Sequence, residues 1–314
     1  MIIKDTETLR KHLSVNGSFT HENVIPYLKK AERHFLKPHL GLAQLKVFHT
    51  PQTDDTIAEA QELAEEVVAN YGFYLYLPIG AVQITDNGIH VVANENTKTA
   101  TDKQFKELQR AFIRSAHEAL DELLEHMEQF ADKFADWFSS ENYTVYKDLL
   151  VNKTSVFNKQ FYIFNSRQTF VALRPNIKVI EDQFIVGAIG ARLLSVLKTN
   201  QTITQRKKVK ELLQQAIVAF TIMKTVDNGL FLLDEKGIHM RFDVLPYEKT
   251  LSHVNSKANG FLSRTKSNKR IEGEEYLKLA INLIEKKLDN FPEYSIKEDK
   301  KHINLTNTNS IVGL

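Results

Sequence analysis

Apolar residues recur with helical spacing along much of the chain. Val24, Leu28, Ala31 and Phe35 fall about one turn apart and predict an amphipathic helix. Proline disfavours helical geometry in the residue before it, so Lys37-Pro38 is expected to kink or restart this helix. A longer helix is predicted from Asp55 to Leu77, with Leu63, Val67, Tyr71 and Tyr74 on one side. Its last third, from Tyr71 to Leu77, is apolar and aromatic almost all round, as in a helix end buried on more than one face. Core packing explains that pattern. An intersubunit contact is the alternative, with Tyr71, Phe73, Tyr74 and Tyr76 as candidate interface residues, because aromatic side chains also anchor interfaces. Next, Ala81 to Ile84 and Ile89 to Val92 bracket Asp86-Asn87-Gly88, which predicts a β-hairpin. A final long helix is expected from Thr101 to Phe130.

The same pattern returns 149 residues later without a gap. Pro26, Lys29, Glu32, Phe35, Gly41 and Leu45 meet Pro175, Lys178, Glu181, Phe184, Gly190 and Leu194. Gly80, Gly88, Ile89 and His90 meet Gly229, Gly237, Ile238 and His239. Roughly a quarter of the aligned positions are identical, which chance explains poorly. The match resumes at an offset of 157, where Leu120, Asp132 and Phe134 meet Leu277, Asp289 and Phe291. The fold class expected is therefore mainly α with small β-hairpins, as a tandem duplication of a helix-helix-hairpin-long helix unit. One copy spans 1–148 and the second 149–296, with a basic insertion near 250–271 and a flexible tail at 297–314. In the second copy the helices are predicted at Gln205 to Thr225 and Gly273 to Asn290, with hairpin strands at Leu230 to Leu233 and Ile238 to Phe242. Thr20 and Thr169 are placed to cap the first helix of each copy. Gly41 and Gly190 suit a tight turn or close packing, with a ligand role as the alternative.

Composition narrows the function classes. A chain of 314 residues, 42% hydrophobic, is long enough for two modest cores. The net charge of +2, from 41 basic and 39 acidic residues, gives no overall attraction to nucleic acid or membrane. Cysteine is absent, which removes disulfides, thiolate metal sites and cysteine nucleophiles. Charges interrupt the segment from Met1 to Val15, unlike a signal peptide, and no window of about 18 apolar residues occurs. The expectation is a protein made in the cytoplasm, with no membrane association.

Candidate chemistry is sparse. His90 and His239 occupy equivalent positions, yet no carboxylate or second histidine stands at ligand spacing beside them. His34, His39 and His49 share no helical face across Pro38. Glu32 and Glu181, three residues after Lys29 and Lys178, read as surface ion pairs. No phosphate-binding glycine loop, nucleophile elbow or His-Glu-x-x-His helix occurs. No enzyme is expected, and no catalytic residue, cofactor or metal. From Lys249 to Ile271 the chain carries Lys257, Arg264, Lys266, Lys269 and Arg270 without an acidic residue. These five are candidate DNA-facing residues on a mobile loop, since such a loop can bind phosphate backbone without reading sequence. The alternative is a solvated loop. The end, Ser310 to Leu314, suits a docking arm or a frayed terminus.

Two stretches carry a resemblance: Pro26-Tyr27-Leu28-Lys29-Lys30-Ala31-Glu32 on one helix, and Ala69-Asn70-Tyr71-Gly72-Phe73-Tyr74 at the end of the next. Each two-helix core is similar to the small helical head-tail connector proteins of tailed bacteriophages, which join the portal ring to the tail. Nearly the whole chain, with Gly88-Ile89-His90 and Asn94-Glu95-Asn96, looks closer to an uncharacterised family encoded beside phage and prophage structural genes. The resemblance implies a non-enzymatic virion adaptor, held in the host cytoplasm before assembly. Its expected partners are copies of itself in a ring, the portal and tail proteins, and packaged DNA through non-specific contact. A fused pair filling two ring positions implies about six chains. The alternative is a cellular nucleic-acid-binding protein using the 249–271 loop.

Overall fold

The side chain of Asp5 accepts the Thr8 amide at 2.7 Å and opens the first helix, α1 (Thr6–His12), with an N-terminal cap. The structure is a computed structural model and describes residues 1–16, 19–86, 88–91, 100–144, 148–199, 202–226, 231–233, 237–240 and 256–294. In the first half there follow α2 (Ile25–Ala31), a π-turn (Glu32–Leu36), α3 (Lys37–Val47) and α4 (Asp55–Gly80). Strands β1 (Val82–Thr85) and β2 (Gly88–Val91) pair antiparallel, Gln83 opposite His90. Helices α5 (Asp102–Gln129), α6 (Ala135–Ser139) and α7 (Glu141–Thr144) complete this half. The second half holds α8 (Thr154–Gln160), α9 (Arg167–Ile180), a π-turn (Glu181–Ile185), α10 (Val186–Ile189), α11 (Ala191–Lys198) and α12 (Thr204–Thr225). Strands β3 (Phe231–Leu233) and β4 (Ile238–Met240) pair antiparallel, and α13 (Ser256–Lys286) closes the series.

Caps explain where the two long helices of the first half start. Asp54 accepts the Thr56 and Ile57 amides at the head of α4, and Thr101 forms a reciprocal capping box with Gln104 at the head of α5. Two glycines then let helices approach closely. A side chain at Gly72 of α4 would collide with Leu28 of α2, and one at Gly273 of α13 would collide with Phe220 of α12. The apolar faces form two clusters of buried side chains. One draws on residues between Ile2 and Tyr143, the other on residues between Leu149 and Tyr294.

Details recur at a spacing of 149 residues. Both π-turns begin at a glutamate, Glu32 and Glu181. Gly41 and Gly190 both break a helix with left-handed backbone, at φ 77° and 82°. Phe35 stacks on Tyr71 at 3.9 Å between ring centres, and Phe184 on Phe220 at 4.7 Å. The Thr50 and Thr199 hydroxyls donate to the carbonyls of Val47 and Val196.

Several sequence expectations need correction. A new helix starts at Lys37 with Pro38 in its first turn, and a second break falls at Gly41. A π-turn precedes Pro38, but the same turn precedes Gly187 in the second half, so proline is not its cause. Thr20 makes no capping hydrogen bond, and at α9 the cap is Ser166, whose hydroxyl accepts the Thr169 amide at 3.0 Å. The last helix of the second half begins at Ser256, not Gly273, so residues 256–271 of the expected basic loop are helical. Glycine, serine and asparagine suggest a loop there, but the segment continues the helix whose Tyr276, Ala280 and Ile284 pack in the second core, and adding turns to a formed helix is far easier than starting one. The turn residues Asn87 and Glu235-Lys236, residues 249–255 and the 297–314 tail lie outside the described residues.

Candidate functional site

The richest polar constellation lies where the two halves meet. Helix α9 starts against the flank of α5, and Asp121 of α5 accepts the Gln168 amide at 3.1 Å. A carboxylate from the first half thus satisfies a free amide at the positive end of a helix in the second. The Gln168 side chain donates to the His117 carbonyl at 3.0 Å. Arg167, only 5% exposed, donates to Glu128 at 3.2 Å. Its guanidinium carbon lies 4.7 Å from the ring centre of Trp137 and 4.8 Å from that of Tyr143, within cation-π range of both. The Trp137 indole is held in turn by donating to the His39 carbonyl at 2.9 Å.

Burial sets the charge states. It lowers the His39 imidazole to about 4, with the Arg167 charge and His117 adding to the effect. It lowers His117 to about 4 against a hydrogen bond with Gln168. Burial also raises the Asp121 carboxyl, opposed by hydrogen bonds from Ser166 and Gln168, and raises Glu128, opposed by Arg167 and Lys153. The Tyr71 hydroxyl is pushed up by burial and by Asp121. At neutral pH both imidazoles are therefore uncharged, and the acidic side chains are engaged by α9. Such an arrangement fixes the position of one half on the other.

A second pair of carboxylates lies inward, not on the surface as their spacing from lysine suggests. Glu32 and Glu181 are not surface partners of Lys29 and Lys178. Glu32 is 9% exposed, accepts the Ile2 amide at 2.8 Å and meets His49 Nε2 at 2.9 Å. Glu181 is 1% exposed, accepts the Leu150 amide and pairs with Lys198 at 2.7 Å. Lys178 pairs with Asp182 instead. In each half the π-turn aims its glutamate inward, where it ties the opening residues of that half to the end of a later helix. A π-turn shifts the phase of the following side chains, which spacing rules for an ideal helix do not anticipate.

The predicted site residues are dispersed. Tyr71 and Phe73 are buried in the first core, so they are packing residues and not an interface. Tyr74 and Tyr76 are half-buried at its edge, where Tyr76 meets Phe19, Tyr27 and Phe73. Arg264 and Lys266 are exposed on α13. Lys269 pairs with Glu272 and lies 5.1 Å over the Phe161 ring, and Arg270 pairs with Glu274. These four residues thus project from a helix, not from a mobile loop. Lys257 is on the same helix, its side chain outside the described set. His90 and His239 sit on β2 and β4. Among the described residues no group of three His, Asp or Glu could hold a metal ion. No helix there is long and apolar enough to cross a membrane.

The junction is nearly silent in the sequence. Its one available signal was Ser166-Arg167-Gln168 before an apolar run, a helix start that contains a cation.

No curated protein and no solved structure matches the chain. One family model does, twice, over residues 44–147 and again over residues 178–304. These two matches cover most of the sequence and fall one in each half, and by them the chain belongs to DUF6712, a family of unknown function.

Proposed function

We propose that this protein is a non-enzymatic structural subunit built as a tandem duplication, a virion head-tail connector or adaptor that joins a portal to a tail by ring assembly. The observation that carries the reading is the contact between the halves. They share paired details 149 residues apart, yet they meet through unlike surfaces, the flank of α5 in the first and the start of α9 in the second. A contact between unlike patches of like units is heterologous, the type from which closed rings and open filaments grow. Two matches to one family model support the duplication. In this reading the fused pair fills two neighbouring ring positions, and half of the ring contacts are intramolecular.

The test is the native mass of the purified protein, alone and with a candidate portal. A discrete ring of about six chains, or a stoichiometric portal complex, is expected. A twelve-chain ring removes the idea that one chain fills two positions and leaves the connector reading in place. A second reading, a nucleic-acid-binding protein, draws on the basic first half of α13, which has no acidic residue from Ser256 to Ile271. A monomer that ignores the portal and shifts duplex DNA with steep salt dependence favours that reading.

A further inference from the structure

The flank that α5 presents to the start of α9 has a counterpart on α13, and that counterpart is open among the described residues. Asp121 and Glu128 of α5, which α9 engages, are half-buried. At the offset of 157 they correspond to Lys278 and Glu285 of α13, both exposed. Leu120 and Leu124 beside them are each 1% exposed, whereas their counterparts Leu277 and Ile281 are half-buried. Arg114 of α5 corresponds to Ile271, a large apolar side chain that is 53% exposed. Ile271, Lys278, Ile281, Asn282 and Glu285 recur at helical spacing and share one face of α13.

The helix start shows the same difference. Thr169 of α9 is buried, and Val171 and Ala172 one turn on from Gln168 are half-buried. At the offset of 149 they correspond to Thr20, Glu22 and Asn23 ahead of α2, and all three are exposed. Charge is exchanged between the two surfaces. Within the chain the helix start brings the cation Arg167 to Glu128, beside Asp121. At the counterpart positions Arg167 is replaced by Ser18 and Val171 by Glu22, while Asp121 is replaced by Lys278. Glu285 is retained and accepts the Tyr294 hydroxyl at 3.4 Å.

We propose that the α13 flank of one copy receives the start of α2 of a second copy, so that the contact between the two halves of one chain is repeated from chain to chain. The internal contact selects this occupant: the surface seated on the α5 flank is the start of the following unit, and the start of α2 is its equivalent. Repetition of one contact between unlike surfaces is what builds a ring or a filament. The exchanged charges give Lys278 an acidic partner in Glu22, whereas α2 placed on the α5 flank would set Glu22 against Asp121. The proposal rests on the assembly reading, because it requires copies of the chain to meet, and it adds the two surfaces.

The experiment uses the full chain, whose lack of cysteine lets introduced thiols report contacts without background. One variant carries Asn23→Cys, a second Asn282→Cys and a third both; the two positions are exposed, and circular dichroism checks that each variant folds. The probe is a short bis-maleimide cross-linker. The double-cysteine chain is expected to give a ladder of covalent multimers, an equimolar mixture of the single variants to give two-chain products, and each single variant alone to remain one chain. Lys278→Glu in the double-cysteine chain should cut the ladder at least roughly tenfold, and adding Glu22→Lys should restore it. Assembly seen by native mass without a ladder overturns the proposal and leaves the assembly reading standing. Equal cross-linking of either single variant alone also overturns it, because like surfaces then meet. A ladder that Lys278→Glu does not weaken overturns it as well, because the charge pair is then not at the contact. A chain that stays monomeric by native mass, alone and with the portal, overturns both the proposal and the assembly reading.

Discussion

The guanidinium of Arg167, in the second half of the chain, lies 4.7 Å from the ring centre of Trp137, in the first. Tyr143 flanks the same guanidinium at 4.8 Å, and Glu128 neutralises it. A planar cation packed against two rings that also touch each other, 4.9 Å between their centres, is a demanding geometry, and lysine, although charged, cannot reproduce it. Arg167→Lys is expected to cost about 1–2 kcal/mol in urea unfolding. Trp137 is the single tryptophan, so its emission reports on this junction. Unchanged emission and midpoint would show that the stacking contributes nothing.

The two buried glutamates should differ in weight. Glu181 is almost wholly enclosed and pairs with Lys198, whereas the His49 partner of Glu32 is 31% exposed. Removing one member of a buried pair strands the other, so Glu181→Ala should cost about 3–5 kcal/mol and Glu32→Ala less. Denaturant midpoints of the two variants, compared side by side, decide the order.

Acid should loosen the junction through its histidines. His39 and His117 are held at about 4 by burial, against 6.5 for a free imidazole. Between pH 6.5 and 4 the unfolded chain takes up protons at these side chains that the folded chain does not, so stability falls as pH is lowered through that window. The loss is at most about 3 kcal/mol per histidine. Asp121 and Glu128 act in the opposite sense: their raised carboxyls protonate first in the folded state, which returns part of the loss. A His39→Gln, His117→Gln double variant should therefore lose less stability than wild type between pH 7 and pH 5. Equal losses would remove the histidines as the cause.

Gly190 stands at φ 82° with nothing within 4 Å of where a side chain would begin, so only backbone strain opposes a substitution. Gly190→Ala is expected to cost about 1–2 kcal/mol. Thermal unfolding tests this, and no loss would mean that the turn relaxes to negative φ.

The basic segment offers a direct test of helix against loop. Thr265 lies inside α13, where proline removes one hydrogen bond and clashes with the preceding turn. Thr265→Pro should lower helical circular dichroism and cost about 3 kcal/mol, whereas in a loop it would change neither.

Elements whose signals are local are legible in the residues alone. Periodic apolar positions located α4, expected at Asp55 to Leu77 and found at Asp55–Gly80, whereas the caps expected at Thr20 and Thr169 are not made. The 149-residue spacing foretold that Gly41 and Gly190 would behave alike, because the same local pattern requires the same backbone. Tertiary structure decided everything that depends on what a side chain meets. Lys29 and Lys178 are near Glu32 and Glu181 in sequence, but the π-turns rotate both carboxylates into the core, toward the amides of Ile2 and Leu150 about 30 residues away. Arg167 is a charged residue at a helix start until Trp137, Tyr143 and Glu128 surround it. Residues 256–271 have the composition of a loop, yet they extend a helix that is anchored in the second core further along, by Ala280 and Ile284. The division is physical: helix periodicity and caps act over about four residues, whereas desolvation and partner geometry exist only once distant segments have met.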